Sequence, residues 1–228
     1  MKWGVLVFPG SNDDRDTVYA LGDVLGYDVR PIWHDESDLG DVDAVVLPGG
    51  FSYGDYLRCG AIARFARVME PLRRFAADGG PVLGICNGFQ ILCEAGLLPG
   101  ALVRNRSLLF TCRRERIRVE TTHTAFTAVA EAGALLTIPV KHGEGCYVAS
   151  DETIAEMEAK RRIVFRYADG APNGSLHDIA GVANDAGNVV GLMPHPEHAV
   201  DPALQGADGQ VLFRSAAAWL AQSQRKVG

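Results

Sequence analysis

The segment Gly84-Ile85-Cys86-Asn87-Gly88 has the form glycine, any residue, nucleophile, any residue, glycine, with cysteine in the nucleophile's place. It ends an apolar run and opens an amphipathic one, so it reads as a sharp strand-to-helix turn. Flanking side chains would collide in such a turn, which explains both glycines. The helix start also places the sulfur beside free N–H groups, where an anion is favoured, and offers the N–H of Asn87 to a developing oxyanion. Taken alone, the pentapeptide also suits a small core cysteine at a tight joint. A nucleophilic cysteine needs a base and a group to orient that base. His195 follows the apolar run Val189–Met193 and lies two residues before Glu197. An extended backbone there would put both side chains on one side, so Glu197 can hold one ring nitrogen while the other faces Cys86. Gly49-Gly50, after the run Asp43–Leu47, lets backbone approach a substrate carbonyl closely and offers a second oxyanion donor at Gly50. An ordinary strand-to-helix turn would carry the same glycines.

The other four cysteines lack this setting. Cys93 reads as core, Cys112 falls in a strand, and Cys59 and Cys146 fall in loops. His195, Glu197, His198 and Asp201 match no zincin spacing, so no metal is expected on the chain. The 228 residues carry 22 basic and 28 acidic side chains, a net charge of −6, which argues against a nucleic-acid surface. In Arg113-Arg114-Glu115-Arg116-Ile117-Arg118 the charges alternate as on the wet face of a strand. No apolar run reaches the roughly 18 residues needed to span a bilayer. Five irregularly spaced cysteines without a CxxC suit a reducing compartment, and a cytoplasmic location is expected.

These groups need a scaffold to bring them together. Expected strands cover Trp3–Phe8, Asp28–Trp33, Asp43–Leu47 and Pro81–Ile85, with helices over Asp13–Leu25, Ala61–Ala77 (bent near Pro71) and Asn87–Leu97. This alternation predicts an α/β fold, an open and mostly parallel sheet with helices on both faces. From Leu108 onward the pattern changes to strands at Arg116–Thr122, Leu135–Val140, Ile163–Tyr167 and Val189–Met193. A mixed or antiparallel C-terminal extension follows, closed by a helix over Asp208–Gln222. No linker or repeat divides residues 1–228, which are expected to form a single domain.

The same residues resemble the class I, triad-type glutamine amidotransferases, which use Cys, His and Glu in this chain order with a His-Pro-Glu segment. The segments Phe8–Asn12, Pro48–Arg58, Gly84–Gln90, His142–Gly145, Pro172–Ser175 and Gly191–Glu197 carry the likeness over almost the whole chain. Gly50–Arg58 together with Gly84–Gln90 narrows it. They resemble glutaminase subunits that pass ammonia to a separate ATP-dependent synthetase making formylglycinamidine ribonucleotide in purine biosynthesis. The resemblance implies Cys86 as nucleophile, His195 as base and acid, Glu197 as orienter, and the backbone N–H groups of Gly50 and Asn87 as the oxyanion hole. It implies glutamine binding by Gly49, Phe51, Gln90, Lys141, His142 and Gly143, and a partner-facing role for Tyr53 and Arg58. Cys146 departs from the larger, often basic residue expected after His-Gly-Glu-Gly. No cofactor is expected on this chain; ATP and Mg belong to the partner synthetase, which a small third subunit joins. Two other readings remain open, a peptidase-like hydrolase with cysteine on a similar elbow and a non-catalytic binding module.

Overall fold

The computed structural model describes residues 1–204 and 206–227, with side chains through residue 222. Three short apolar runs form fully buried strands: every residue of β3 (Ala44–Leu47), β4 (Val82–Ile85) and β11 (Val189–Leu192) is buried. These run parallel to one another and to β1 (Lys2–Val7), which pairs on its other side with β2 (Asp28–Trp33). Beyond β11 the sheet turns antiparallel through β10 (Ile179–Ala183), β9 (Ile163–Tyr167), β6 (Thr111–Val119) and β7 (Leu135–His142). The full order of the nine strands is β2-β1-β3-β4-β11-β10-β9-β6-β7. The structure therefore has the expected α/β class with its antiparallel extension. A small separate sheet pairs β5 (Ala101–Val103) with β8 (Cys146–Val148).

Helices cover both faces of the parallel half. On one face α3 (Asn87–Glu94) lies directly on the sheet: a Cβ at Gly191 would meet Leu98 and overlap the Phe89 ring. On the other, Trp3 of β1 packs edge-on against Phe213 of α5 (Gln210–Val227), ring centroids 5.9 Å apart. Trp3, Phe8, Phe89, Phe165 and Phe213 are all fully buried in the resulting core. Among the described residues, no helix is long and apolar enough to cross a membrane.

Three expectations about elements need correction. The helix expected over Ala61–Ala77 with a bend at Pro71 is two pieces: a 3-10 turn at Ala63–Phe65, an extended residue at Ala66 (ψ 147°), then α2 (Met69–Ala77). Pro71 sits in the first turn of α2, where no amide donor is needed, so it does not bend the helix. The helix expected over Asp13–Leu25 is α1 (Asp14–Tyr19), which widens into a π turn at Ala20–Val24. Cys146, expected in a loop, opens β8. The extension also contains a helix, α4 (Asp151–Ala159), and the strand β10, neither of which was expected. The signals for α4 were local: Ser150 caps it by accepting from Thr153 N, and Ile154 and Met157 are its buried pair.

Both outer strands of the large sheet carry a proline near the middle, Pro31 in β2 and Pro139 in β7. Although β7 is an edge in the hydrogen-bond order, it comes back to the parallel half. The carbonyl of Pro139 accepts from His195 N at 2.8 Å, just beyond the end of β11. A cleft thereby forms between the C-terminal ends of the parallel strands and the end of β7.

Candidate active site

Cys86 joins β4 to α3 with φ 50° and ψ −104°, a conformation costly for a residue with a side chain. The surroundings impose it. Cys86 N donates to Leu192 O of β11 at 2.8 Å, and Gln90 N donates to Cys86 O at 3.1 Å. A Cβ on Gly84 would fall 2.8 Å from the carbonyl of Gly88, and one on Gly88 would overlap the carbonyl oxygen of Leu47. The glycines thus let α3 sit directly on β3 and β4, as the elbow requires. Cys86 is buried, and its thiol points toward Lys141 O at 3.7 Å, at the end of β7.

His195 is fully buried, and its Nδ1 lies 2.6 Å from Glu197 Oε1. The pairing is the expected one, but the route differs: Pro196–His198 form a 3-10 turn rather than extended backbone. This turn commits one nitrogen of the ring. Nε2 makes no hydrogen bond to the described residues, while the Cys86 sulfur is close enough to act on the ring's charge. Burial by itself would favour neutral imidazole, but Glu197 and then Cys86 outweigh it and push the His195 pKa up to about 10. Protonated His195 beside an anionic sulfur is the arrangement a cysteine nucleophile needs.

A second carboxylate, absent from the sequence reading, shares this space. Asp13 Oδ2 is 3.6 Å from His195 Nδ1, and Asp13 Oδ1 is bonded to Lys141 Nζ and lies 3.3 Å from His198 Nε2. Asp13, His195, Glu197 and His198 bring four ligand-type atoms within 4.8 Å of one another. Lys141 Nζ, 3.0 Å from His198 Nε2, already places a cationic side chain in that group. Asp201, considered with these residues in the sequence, instead lies 3.5 Å from the Tyr19 hydroxyl.

Cys86 opens into a cleft of about 340 Å³. Of the residues singled out in the sequence, Gly50, Phe51, Gln90, Lys141, His142 and Gly143 line it, joined by Asn12, Asp13, Asp55, Cys59, Phe110 and Glu144. Gly49, Asn87, His195 and Glu197 stand behind the walls. A Cβ on Gly49 would come within 2.7 Å of the His195 ring, so the backbone there needs glycine. Asn87 ties the walls together: its side chain accepts from Ser52 N at 3.1 Å and donates to Gln90 Oε1 at 2.8 Å. Gln90 in turn donates to Glu144 O at 2.6 Å. The Gly49–Asp55 loop is stitched to the loop after β1 by Phe51 N to Gly10 O at 2.9 Å and Tyr53 N to Pro9 O at 2.6 Å. It then takes three consecutive left-handed residues, Tyr53, Gly54 and Asp55.

His142 is buried with Nδ1 3.1 Å from Asn105 Oδ1, an oxygen that also accepts from Gly145 N. Burial, reinforced by the charge of His195, pushes its pKa down to about 4, so this ring is neutral where His195 is charged. Burial, followed by Asp55 and Glu144, drives the Cys59 thiol far above its ordinary range, and burial does the same to Cys93, so neither readily forms a thiolate. Tyr53 turns its hydroxyl inward to His34 Nδ1 at 2.7 Å, and Arg58 pairs with Glu94 at 2.6 Å.

A family model described as a CobB/CobQ-like glutamine amidotransferase domain matches residues 1–220. The chain belongs to this glutamine amidotransferase family. Within it, similarity is high to the phosphoribosylformylglycinamidine synthase subunit PurQ of Salinibacter ruber, 56% identical over 222 residues and 94% of each chain. The protein of the same name from Gloeobacter violaceus is 56% identical over 223 residues, covering 94% of this chain and 96% of its own. A chain of the PurLQS structure from Thermotoga maritima superposes with a TM-score of 0.88 at 43% identity, over 96% of this chain and 98% of that one. A more distant glutamine amidotransferase from the same organism, 15% identical with a TM-score of 0.56 over 99% and 85% of the two chains, shares the fold. The elbow, the His-Glu pair and the glycine-lined cleft thus all lie within the residues 1–220 that match the family.

Proposed function

We propose that this chain is the glutaminase subunit of a phosphoribosylformylglycinamidine synthase, hydrolysing L-glutamine to glutamate and ammonia. The observation that carries the reading is the strained elbow at Cys86 set against the buried His195–Glu197 pair. The Cys86 thiolate adds to the side-chain amide carbon, and the N–H groups of Gly50 and Asn87 hold the oxyanion. Protonated His195 gives its proton to departing ammonia, then takes one from the water that hydrolyses the γ-glutamyl thioester. Glu197 keeps the ring oriented throughout. Phe51, Gln90, Lys141, His142 and Gly143 hold glutamine in the cleft, and Gly49 supports Gly50 from behind.

Ammonia is passed to a separate synthetase subunit, where ATP and Mg drive formation of formylglycinamidine ribonucleotide; a small third subunit completes the assembly. Two observations support a partner: the similar PurQ proteins are named as subunits, and apolar side chains cluster near the cleft. Tyr56 is 87% exposed, Leu57 78% and Leu108 77%, each within two residues of one that lines the cleft. Arg58, just beyond the Gly49–Asp55 loop and exposed beside Glu94, faces the partner, while Tyr53 within the loop braces that edge through His34. The whole chain acts as one amidotransferase domain, and its five free cysteines fit a cytoplasmic setting.

Glutamate release by the chain alone, and after mixing with the synthetase subunit and its substrates, tests this function. Turnover is expected to rise at least tenfold in the mixture, because one oxyanion donor properly aimed is worth roughly 10²–10³ in rate. Equal rates in both states rule out control by docking; no glutamate in either state rules out the glutaminase assignment.

A further inference from the structure

Asp13 sits where the N-cap of α1 belongs, yet its carboxylate makes no hydrogen bond to that helix. Aspartate at such a position ordinarily accepts from an amide of the first turn. Here the side chain turns away, is almost fully buried, and reaches Lys141 Nζ, His198 Nε2 at 3.3 Å and the Nδ1 edge of His195 at 3.6 Å. Three elements meet on this one group: the loop after β1, the end of β7 and the turn after β11. Gly49 is bare partly to leave it room, since a Cβ there would overlap Asp13 Oδ2.

We propose that Asp13 is a positioning residue for His195, a second anion that, braced by Lys141 and His198, holds the ring edge and keeps the imidazole protonated for ammonia release. This rests on the reading of His195 as the acid and base. The groups that face His195 are Glu197 and His198 from the turn after β11, Cys86 from the elbow, Lys141 and His142 from β7, and Asp13. Their charges do not persist equally through the reaction. Once Cys86 carries the γ-glutamyl group its negative charge is gone, whereas Glu197 and Asp13 remain. Asp13 keeps its own charge: although burial opposes it, hydrogen bonding to His198 and the nearby His195 and Lys141 hold its carboxyl well below the usual carboxylate range. An unpaired anion so close to an imidazole favours its charged form by about one to three pH units, and Lys141 on the other oxygen of Asp13 offsets part of this.

The test is the pH profile of kcat/KM for glutamine in the assembled complex. Asp13→Asn keeps the shape and removes the charge, and is expected to move the alkaline limb about one unit toward neutrality. Asp13→Glu is expected to restore that limb in part. An Asp13→Asn enzyme with lower thermal stability or higher KM but an unmoved alkaline limb would mean that Asp13 is only a structural tie, and the proposal fails. Retention of activity by His195→Ala would instead overturn the acid–base reading itself. Should Asp13→Asn not fold, imidazole NMR on the Cys86→Ala/Glu197→Gln chain decides. With Asp13 the one carboxylate left at Nδ1, His195 is expected to titrate above the free-histidine value of about 6.5. Titration below that value overturns the proposal.

Discussion

The two halves of the large sheet serve the cleft in different ways. Four parallel strands, β1, β3, β4 and β11, each end at the same edge and each deliver one part within a few residues: Asp13, Gly49-Gly50, Cys86 and His195. The antiparallel half delivers walls from farther away, with Lys141, His142 and Gly143 at the end of β7 and Phe110 and Glu144 beside them. The candidate catalytic residues therefore follow largely buried strands, and the cleft walls follow β7, where buried residues alternate with more exposed ones. Bond-making geometry tolerates little displacement, so it belongs where the backbone is pinned by packing. Binding can be spread over loops.

If that division holds, damage to the parallel half falls on turnover and damage to the antiparallel half on affinity and stability. The largest effect is expected for Cys86→Ala, a loss of glutamine hydrolysis of up to about 10⁶, as for removal of other nucleophiles. Synthesis from added ammonia should survive, because that chemistry lies on the partner. Glutamate release and ammonia-driven product formation, measured on one preparation, separate the two, and residual glutaminase activity at the wild-type level would undo the assignment. Glu197→Gln should cost less, about one to three orders of magnitude in kcat, with alkylation of Cys86 by iodoacetamide retained. A loss equal to that of Cys86→Ala would show that Glu197 does more than orient.

His142, on the antiparallel side, makes the smallest and most specific difference. Its folded pKa of about 4 lies below the ordinary 6.5, so its neutral form is stabilising. That stability is complete above pH 6.5 and is lost as pH falls toward 4, by about 3 kcal/mol in all. His142→Asn, which keeps a donor toward Asn105, should flatten the decline while changing kcat less than tenfold. Urea midpoints between pH 7 and 4.5 measure it. An unchanged slope in the variant would place the acid sensitivity elsewhere.

The same division explains what could be read before the structure was seen. The elbow was legible because strand end, nucleophile and helix start are consecutive, and both glycines have steric reasons visible in five residues. His195 and Glu197 were legible for the same reason, though the turn joining them was not. Asp13 and Glu144 were not singled out, because their roles depend on contacts 128 and 54 residues away in the chain, with Lys141 and Gln90 respectively. In the fold, near-continuous apolar strands announced the parallel half. In the other half, α4 escaped notice because only Ile154 and Met157 are buried in it, and β10 because its alanines and glycine lack the bulk that marks a strand.

The prolines at Pro31 and Pro139 bear on the life of the chain before it finds its partner. The outer strands of an open sheet present rims, and a rim of free amides is a template on which another molecule can add a strand. Each rim here lacks an amide donor near its midpoint, so a second copy cannot continue the ladder through it. Tyr56, Leu57 and Leu108 remain among the chain's most exposed apolar side chains. A newly made chain therefore carries, in each sheet edge, a gap that discourages a second copy from adding a strand.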